Sequence, residues 1–260
     1  KTTTIKMLTG LIKPTSGSAR VAGFDVQTHP LDARRRMAYV PDFPFLYDKL
    51  TPWEFLRFTG QMFRMEETRM VAQAKELVAR FNLEPYLRKP IEGLSHGTRQ
   101  RVAIASALLH DPEVFVIDEP MVGLDPHHAR VVKDTLKERS RRGMTVFLST
   151  HQLSVAEEIA DRIGIIHQGR LVAVGARLDL VAGPFEGAGQ EAAHGVGEGV
   201  EVASVQDPGR GQQRAARDRG DDLHLLQQPR LAQPCMGLGG RRGRGTGSRQ
   251  RRRPDRCRSA

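Results

Sequence analysis

LSHGTRQRVAIASALLHDPEVFVIDEPMVGLDP, residues 94–126, decides the fold. It opens on Ser95 and Gly97, residue types that cap a helix start and let another backbone or an anion come close. Val114-Phe115-Val116-Ile117 follows, a continuous apolar run that suits a parallel strand covered on both faces. Two acids, Asp118 and Glu119, end that run side by side. Burying two carboxylates is costly unless they serve a cation or a proton transfer, so their position at a strand end points to catalysis. A strand that delivers two acids at its carboxyl end can hold a magnesium ion and a water-activating base beside a nucleotide phosphate. Gly123-Leu124-Asp125-Pro126 then sets Asp125 as an N-cap and Pro126 as the first residue of the next helix, which by itself accounts structurally for both.

A phosphate site needs a cradle, and only the first three residues offer one. In a loop of the form GxxxxGK[ST], backbone N–H groups wrap the phosphates, the lysine meets the β/γ oxygens and the next hydroxyl reaches magnesium. Lys1-Thr2-Thr3 fits the end of such a loop, and equally fits a solvated first turn. Ile5, Leu8, Leu11 and Ile12 recur behind it at helical spacing, and Lys13-Pro14-Thr15-Ser16-Gly17 ends the helix. Residues 18–26 read as short strands turning at Gly23, and residues 30–36 as one basic helical turn. Met37-Ala38-Tyr39-Val40 is a short strand that runs into Asp42, which is either a turn aspartate or a residue reaching a metal or its water.

Thr51-Pro52-Trp53-Glu54 has the form of a capping box with proline at the first helical position. Met70, Val71, Ala74, Leu77, Val78 and Phe81 make the apolar stripe of a further helix and read as core. Residues 51–87 are thus a helical insertion, within which Trp53, Phe55 and Phe58 either pack or meet a partner. Beyond residue 126, residues 144–148 form another apolar strand with Ser149-Thr150-His151 at its carboxyl end. His151 therefore shares a sheet edge with the two acids, which favours a role in their site. Ser154-Val155-Ala156-Glu157 reads as a second capping box. Residues 162–166 and 170–174 form a hairpin around Gln168-Gly169 that closes the sheet.

Charge divides the chain. Net charge is +10 over 260 residues, but no lysine follows Lys137 and no aromatic residue follows Phe185. Residues 184–260 reach their positive charge with arginine alone, in a Gly/Ala/Pro-rich setting that includes GRRGRG at 240–245. This segment reads as disordered low-complexity sequence or as the out-of-frame translation of a GC-rich gene; such arginine-rich sequence can also bind RNA or anionic lipid. Both cysteines, Cys235 and Cys257, lie there, so residues 1–183 hold neither a disulfide nor a thiolate zinc site, which fits a reducing compartment. No run approaches the roughly 20 apolar residues that span a bilayer, so a membrane role would come through a partner.

In order and spacing, these features resemble the nucleotide-binding domain of ATP-binding cassette (ABC) transporters, from Lys1 to about Leu180. Lys1-Thr2-Thr3 looks like the end of Walker A, Asp42 falls where the Q-loop glutamine sits, and LSHGT at 94–98 looks like the signature. VFVIDEP at 114–120 is similar to Walker B with the catalytic glutamate, GLDP to the D-loop, and His151 to the switch histidine. The family's Walker A glycines and first strand have no counterpart, as expected of a fragment that begins inside the motif and binds ATP weakly. His96 and Thr98 stand where Gly and Gln are usual, and Asp42 replaces the Gln. A basic signature residue with an acidic Q-loop resembles export-type cassettes paired with separate permeases.

The resemblance implies an α/β P-loop NTPase with a mostly parallel core sheet, a helical subdomain at about residues 51–110, an ATPase domain over residues 1–183 and a disordered tail over 184–260. It implies ATP and Mg2+ as cofactors, with Lys1, Thr2, Thr3, Asp42, Ser95, Gly97, Asp118 and Asp125 binding nucleotide. Thr2, Asp118 and Asp42 would serve the metal, Glu119 would polarise water, and His151 would hold the γ-phosphate end. Two subunits would pair head to tail, Ser95 and Gly97 of one meeting the ATP of the other, on the cytoplasmic face of a bacterial membrane beside a permease, with no nucleic acid expected. The alternatives are a cassette ATPase acting on nucleic acid or ribosomes, and an inactive fragment.

Overall fold

The computed structural model describes residues 2–167, 169–176 and 201–206. In chain order these are α1 (Thr2–Leu8), β1 (Arg20–Val21), β2 (Phe24–Asp25), α2 (Pro30–Arg35), β3 (Met37–Val40), α3 (Pro52–Met62), α4 (Glu67–Arg80), α5 (His96–Leu108), β4 (Val114–Asp118), α6 (Pro126–Arg141), β5 (Thr145–Thr150), α7 (Leu153–Ile159), β6 (Arg162–His167), β7 (Arg170–Ala176) and β8 (Glu201–Gln206). The six-stranded sheet has the order β3-β4-β5-β8-β6-β7. β3, β4 and β5 are parallel, with Val40 opposite Ile117 and Asp118 opposite Ser149, so their carboxyl ends share one edge. β8, β6 and β7 pair antiparallel, and β6 with β7 forms the expected hairpin.

Side-chain alternation along β4 explains why its sequence is apolar throughout. Phe115 and Ile117 enter the main core with α3, α4 and α5, while Val116 faces the other way onto Ile5 of α1, Val21, Val26, Ala33 and Met37. Each fully buried side chain of this size contributes roughly 1.5–3 kcal/mol, so both layers are held by the strand that carries the acids. α5 is buried on nearly every side, including Gln100 and Arg101, as a helix at the centre of a domain must be.

Local signals set most boundaries. Thr51 and Glu54 form the reciprocal capping box, with the Thr51 amide donating to Glu54 Oε2 at 2.8 Å. Asp125 caps α6 with Pro126 at its first position. α1, however, stops at Leu8, four residues short of the end of its apolar periodicity. Gly10 turns left-handed (φ 67°) and the Leu11 amide returns to the Lys6 carbonyl at 2.8 Å, a Schellman closure that leaves Leu11 and Ile12 exposed. The capping box expected at Ser154 does not form: α7 begins at Leu153, before that serine, with Gln152 at its N-cap. The amides ahead of the helix are already satisfied, His151 by Glu119 and Gln152 by Thr150 Oγ1.

Residues 184–260 were expected to lack structure, and Glu201–Gln206 departs from that. These six residues lie between β5 and β6, Ser204 pairing with both Leu148 and Ile163, and so satisfy the backbone groups of two strand edges at once. The remainder of that expectation falls outside the described residues.

Candidate active site

Glu119 sits where β4 breaks. Its φ of 49° is a left-handed value uncommon for a residue with a side chain, and its amide donates across the sheet edge to the Ser149 carbonyl at 2.8 Å. The bend aims the carboxyl along the end of β5. There Oε1 accepts from the His151 amide at 3.0 Å and lies 2.9 Å from His151 Nδ1, and Oε2 accepts from Thr150 Oγ1 at 3.2 Å. Glu119 is 6% exposed and Asp118 3%, while the His151 ring is open to solvent. The acids and the histidine are thus brought together as the sequence suggests. Thr150, whose hydroxyl fixes one carboxyl oxygen, is a further member that the motif reading missed.

Asp42 belongs to the same edge. The Val40–Ile117 pairing brings the residues after β3 toward the strand end that carries Asp118, and the charges of both acids reach Tyr39. Burial pushes the Tyr39 hydroxyl up from its ordinary value, and the charges of Asp118 and then Asp42 push it further. Thr2 and Thr3 lie exposed in the first turn of α1, whose Ile5 packs in the cluster of Val116 on β4. Lys1 lies outside the described residues.

A second hydrogen-bonded set is built around α5. Ser95 caps the helix, its Oγ accepting from the Thr98 amide at 3.3 Å with Thr98 Oγ1 at 3.0 Å. A Cβ on Gly97 would lie 2.4 Å from the Gly123 carbonyl oxygen, so the signature-like turn touches the GLDP turn backbone to backbone. His96 packs over Gly123 and, edge to face, near Phe43 at 6.3 Å between centroids. Asp125 accepts from the His128 amide at 3.0 Å and lies 2.6 Å from His128 Nδ1; the amide first, then the ring, pull its carboxyl down to about 2.

Magnesium can be tested against these residues. Among the described residues no three His, Cys, Asp or Glu side chains group as a metal centre. Mg2+ keeps most of its water and takes one or two carboxylates plus substrate phosphate, so it does not require such a group. Asp118, buried and next in sequence to Glu119, is the acid such an ion would use.

Parallel strands ending in paired acids and a histidine, covered by helices on both faces, give the chain the α/β architecture of the P-loop NTPase fold. Comparison with known proteins narrows this. Residues 1–122 match the family described as ABC transporter. The chain is 36% identical over 180 residues to the linearmycin resistance ATP-binding protein of Bacillus subtilis, covering 69% of this chain and 58% of that protein. It is 37% identical over 181 residues to the Nod factor export ATP-binding protein I of Burkholderia lata, covering 70% and 60%. A solved structure of the ATP-binding subunit of an ABC transporter superposes with a TM-score of 0.66 at 33% identity, over 76% of this chain and 79% of that one. The chain belongs to the ATP-binding proteins of the ABC transporter family. It spans about three-fifths of the length of the two curated relatives.

Proposed function

We propose that this chain is the ATP-binding and ATP-hydrolysing subunit of a bacterial exporter, working at the cytoplasmic face of the membrane against a separate permease. The single observation that carries the reading is the Glu119 carboxyl, fixed by Thr150 and His151 at the edge where Asp118 and Asp42 also end. The two relatives described above are named for linearmycin resistance and for Nod factor export, which favours export and lends nothing to a role on nucleic acid.

Phosphoryl transfer through a loose transition state asks for positioning and charge stabilisation more than for covalent chemistry. Glu119 orients and polarises the attacking water, and its left-handed backbone keeps the carboxyl turned toward Thr150 and His151. In its imidazolium form the exposed His151 ring donates Nδ1–H to Glu119 and Nε2–H to the terminal phosphate. Asp118, assisted by Asp42 and the Thr2 hydroxyl, would hold the Mg2+ that accompanies the nucleotide, an ion that would supply neutralisation of phosphate charge. Lys1, Thr2 and Thr3 bind the phosphates.

Ser95 and Gly97 belong to a separate hydrogen-bonded set from Glu119, and Ser95 is exposed. This supports a head-to-tail pair in which Ser95 and Gly97 of one copy meet the nucleotide of the other, with Asp125 at the seam. The permease docks on the apolar groove beside Asp42, walled by Phe45, Phe55 and Phe63.

Glu119→Gln tests the reading in the full-length subunit with its permease. Removal of a positioned base costs about 10²–10⁴-fold in rate, so turnover should fall at least a hundredfold while labelled ATP is retained and the dimer persists on gel filtration. Turnover near wild type would remove Glu119 from this role.

A further inference from the structure

α5 buries a guanidinium that has no carboxylate against it among the described residues. Arg101 is 5% exposed, and among the described residues it forms no ion pair. Its Nη1 donates to the carbonyls of Phe81 at 2.7 Å and Asn82 at 3.2 Å, its Nη2 donates to Thr98 Oγ1 at 3.0 Å, and its Nε lies 3.4 Å from the Gly97 carbonyl. Nη1 also lies 2.9 Å from Nε2 of His128, whose Nδ1 lies 2.6 Å from Asp125. Arginine only donates, so the 2.9 Å contact requires a lone pair on Nε2 and leaves the ring proton on Nδ1, where it is donated to Asp125. The imidazole thus links a buried cation to an acid it does not touch, which offsets part of the desolvation a lone buried charge would suffer.

The link continues to the helix start. Thr98 Oγ1 accepts from the guanidinium, which favours Thr98 as donor to Ser95 Oγ at 3.0 Å. Ser95 Oγ then accepts twice, from the hydroxyl and the amide of Thr98, and its own proton is free to point outward.

We propose that His128 is a positioning residue. Through Arg101 and Thr98 it ties the Asp125 turn to the orientation of the Ser95 hydroxyl, so that Ser95 donates to a phosphate oxygen only while the Asp125 turn is in place. The inference rests on the reading above in which Ser95 meets the partner copy's nucleotide.

Two amides separate the ends of the imidazole. His128→Asn keeps a donor where Nδ1 stands and loses the acceptor facing Arg101; His128→Gln places its carbonyl near Nε2 and restores that acceptor. In the full-length subunit with its permease, Ser95→Ala should lower kcat about tenfold. His128→Asn should lower kcat by about as much, with KM for ATP changed less than about twofold, and His128→Gln should recover to within about threefold of wild type. Ser95→Ala at the wild-type rate overturns the reading of the site and this inference with it. An impaired Ser95→Ala beside a His128→Asn of wild-type kcat overturns the inference alone. So does equal impairment of the Asn and Gln variants, the pattern of a residue that only packs.

Discussion

Gly97 occupies a position where helix propensity and packing oppose one another. Alanine in the first turn of α5 would gain up to about 1 kcal/mol in propensity. Its Cβ, however, would lie 2.4 Å from a backbone oxygen of Gly123, an atom that moves only if the whole turn moves. Overpacking of that kind costs about 1–3 kcal/mol. Gly97→Ala is therefore expected to lose about 1–2 kcal/mol in urea denaturation and to displace the Asp125 turn; a more stable variant would show that the turn yields freely. His110 presents a different balance. Its ring stacks on Phe63 at 3.6 Å between centroids, and neither nitrogen has a well-formed hydrogen bond, although the Met37 backbone lies close enough to favour its charged form slightly. Burial pulls its pKa down from 6.5 to about 4. The unfolded chain then binds the proton more readily than the folded one throughout that window. Stability is full above 6.5, falls as the pH drops and levels off below about 4. The loss by about pH 5 is on the order of 2 kcal/mol, and His110→Phe should abolish it. The same acid limb in that variant would assign the effect to another group.

Among the elements, α3 offers the cleanest test of a local signal. Thr51→Ala removes the hydroxyl that accepts from the Glu54 amide and leaves the bond from the residue 51 amide to Glu54, and an N-cap loss of this kind costs about 1 kcal/mol. The site lies elsewhere, so the denaturation midpoint should fall while ATP turnover per folded molecule stays unchanged; an unshifted midpoint would mean that packing alone defines the helix start. The caps at Thr51, Ser95 and Asp125 were legible because each partner lies within three residues in the chain. Ser154 has the same local form and fails, because the preceding amides already belong to Glu119 and Thr150. β8 was illegible for a related reason: nothing in Glu201–Gln206 distinguishes it until two strand edges need a partner. The site divides in the same way. Asp118, Glu119 and His151 could be read from acids ending an apolar run and a histidine ending the next strand. The bond from Arg101 to His128 spans 27 residues and joins two helices, and its one trace in the sequence is an arginine opening the run VAIASAL.

At the scale of the whole molecule, exposed large apolar side chains are unevenly placed. Phe43, Phe45, Tyr47, Met62 and Phe63 all fall between residues 43 and 63, next to Asp42, and Phe45 is 92% exposed. Exposed apolar side chains gathered in this stretch, beside the edge proposed to be catalytic, suit a contact surface. Among the described residues no helix is long and apolar enough to cross a membrane; on the reading proposed here a separate permease holds the subunit at the bilayer. An aromatic side chain seated in a partner's pocket is the kind of anchor whose loss costs 2 kcal/mol or more, about thirtyfold in affinity. Phe45 contributes little to folding because it is so exposed, and surface changes of this sort stay within about 0.5 kcal/mol. Phe45→Asp should thus leave hydrolysis by the isolated full-length subunit within about twofold of wild type. In proteoliposomes it should weaken association with the permease at least tenfold and uncouple hydrolysis from export. Undiminished association would place the permease on another face, and loss of hydrolysis in the isolated subunit would make Phe45 part of the nucleotide site.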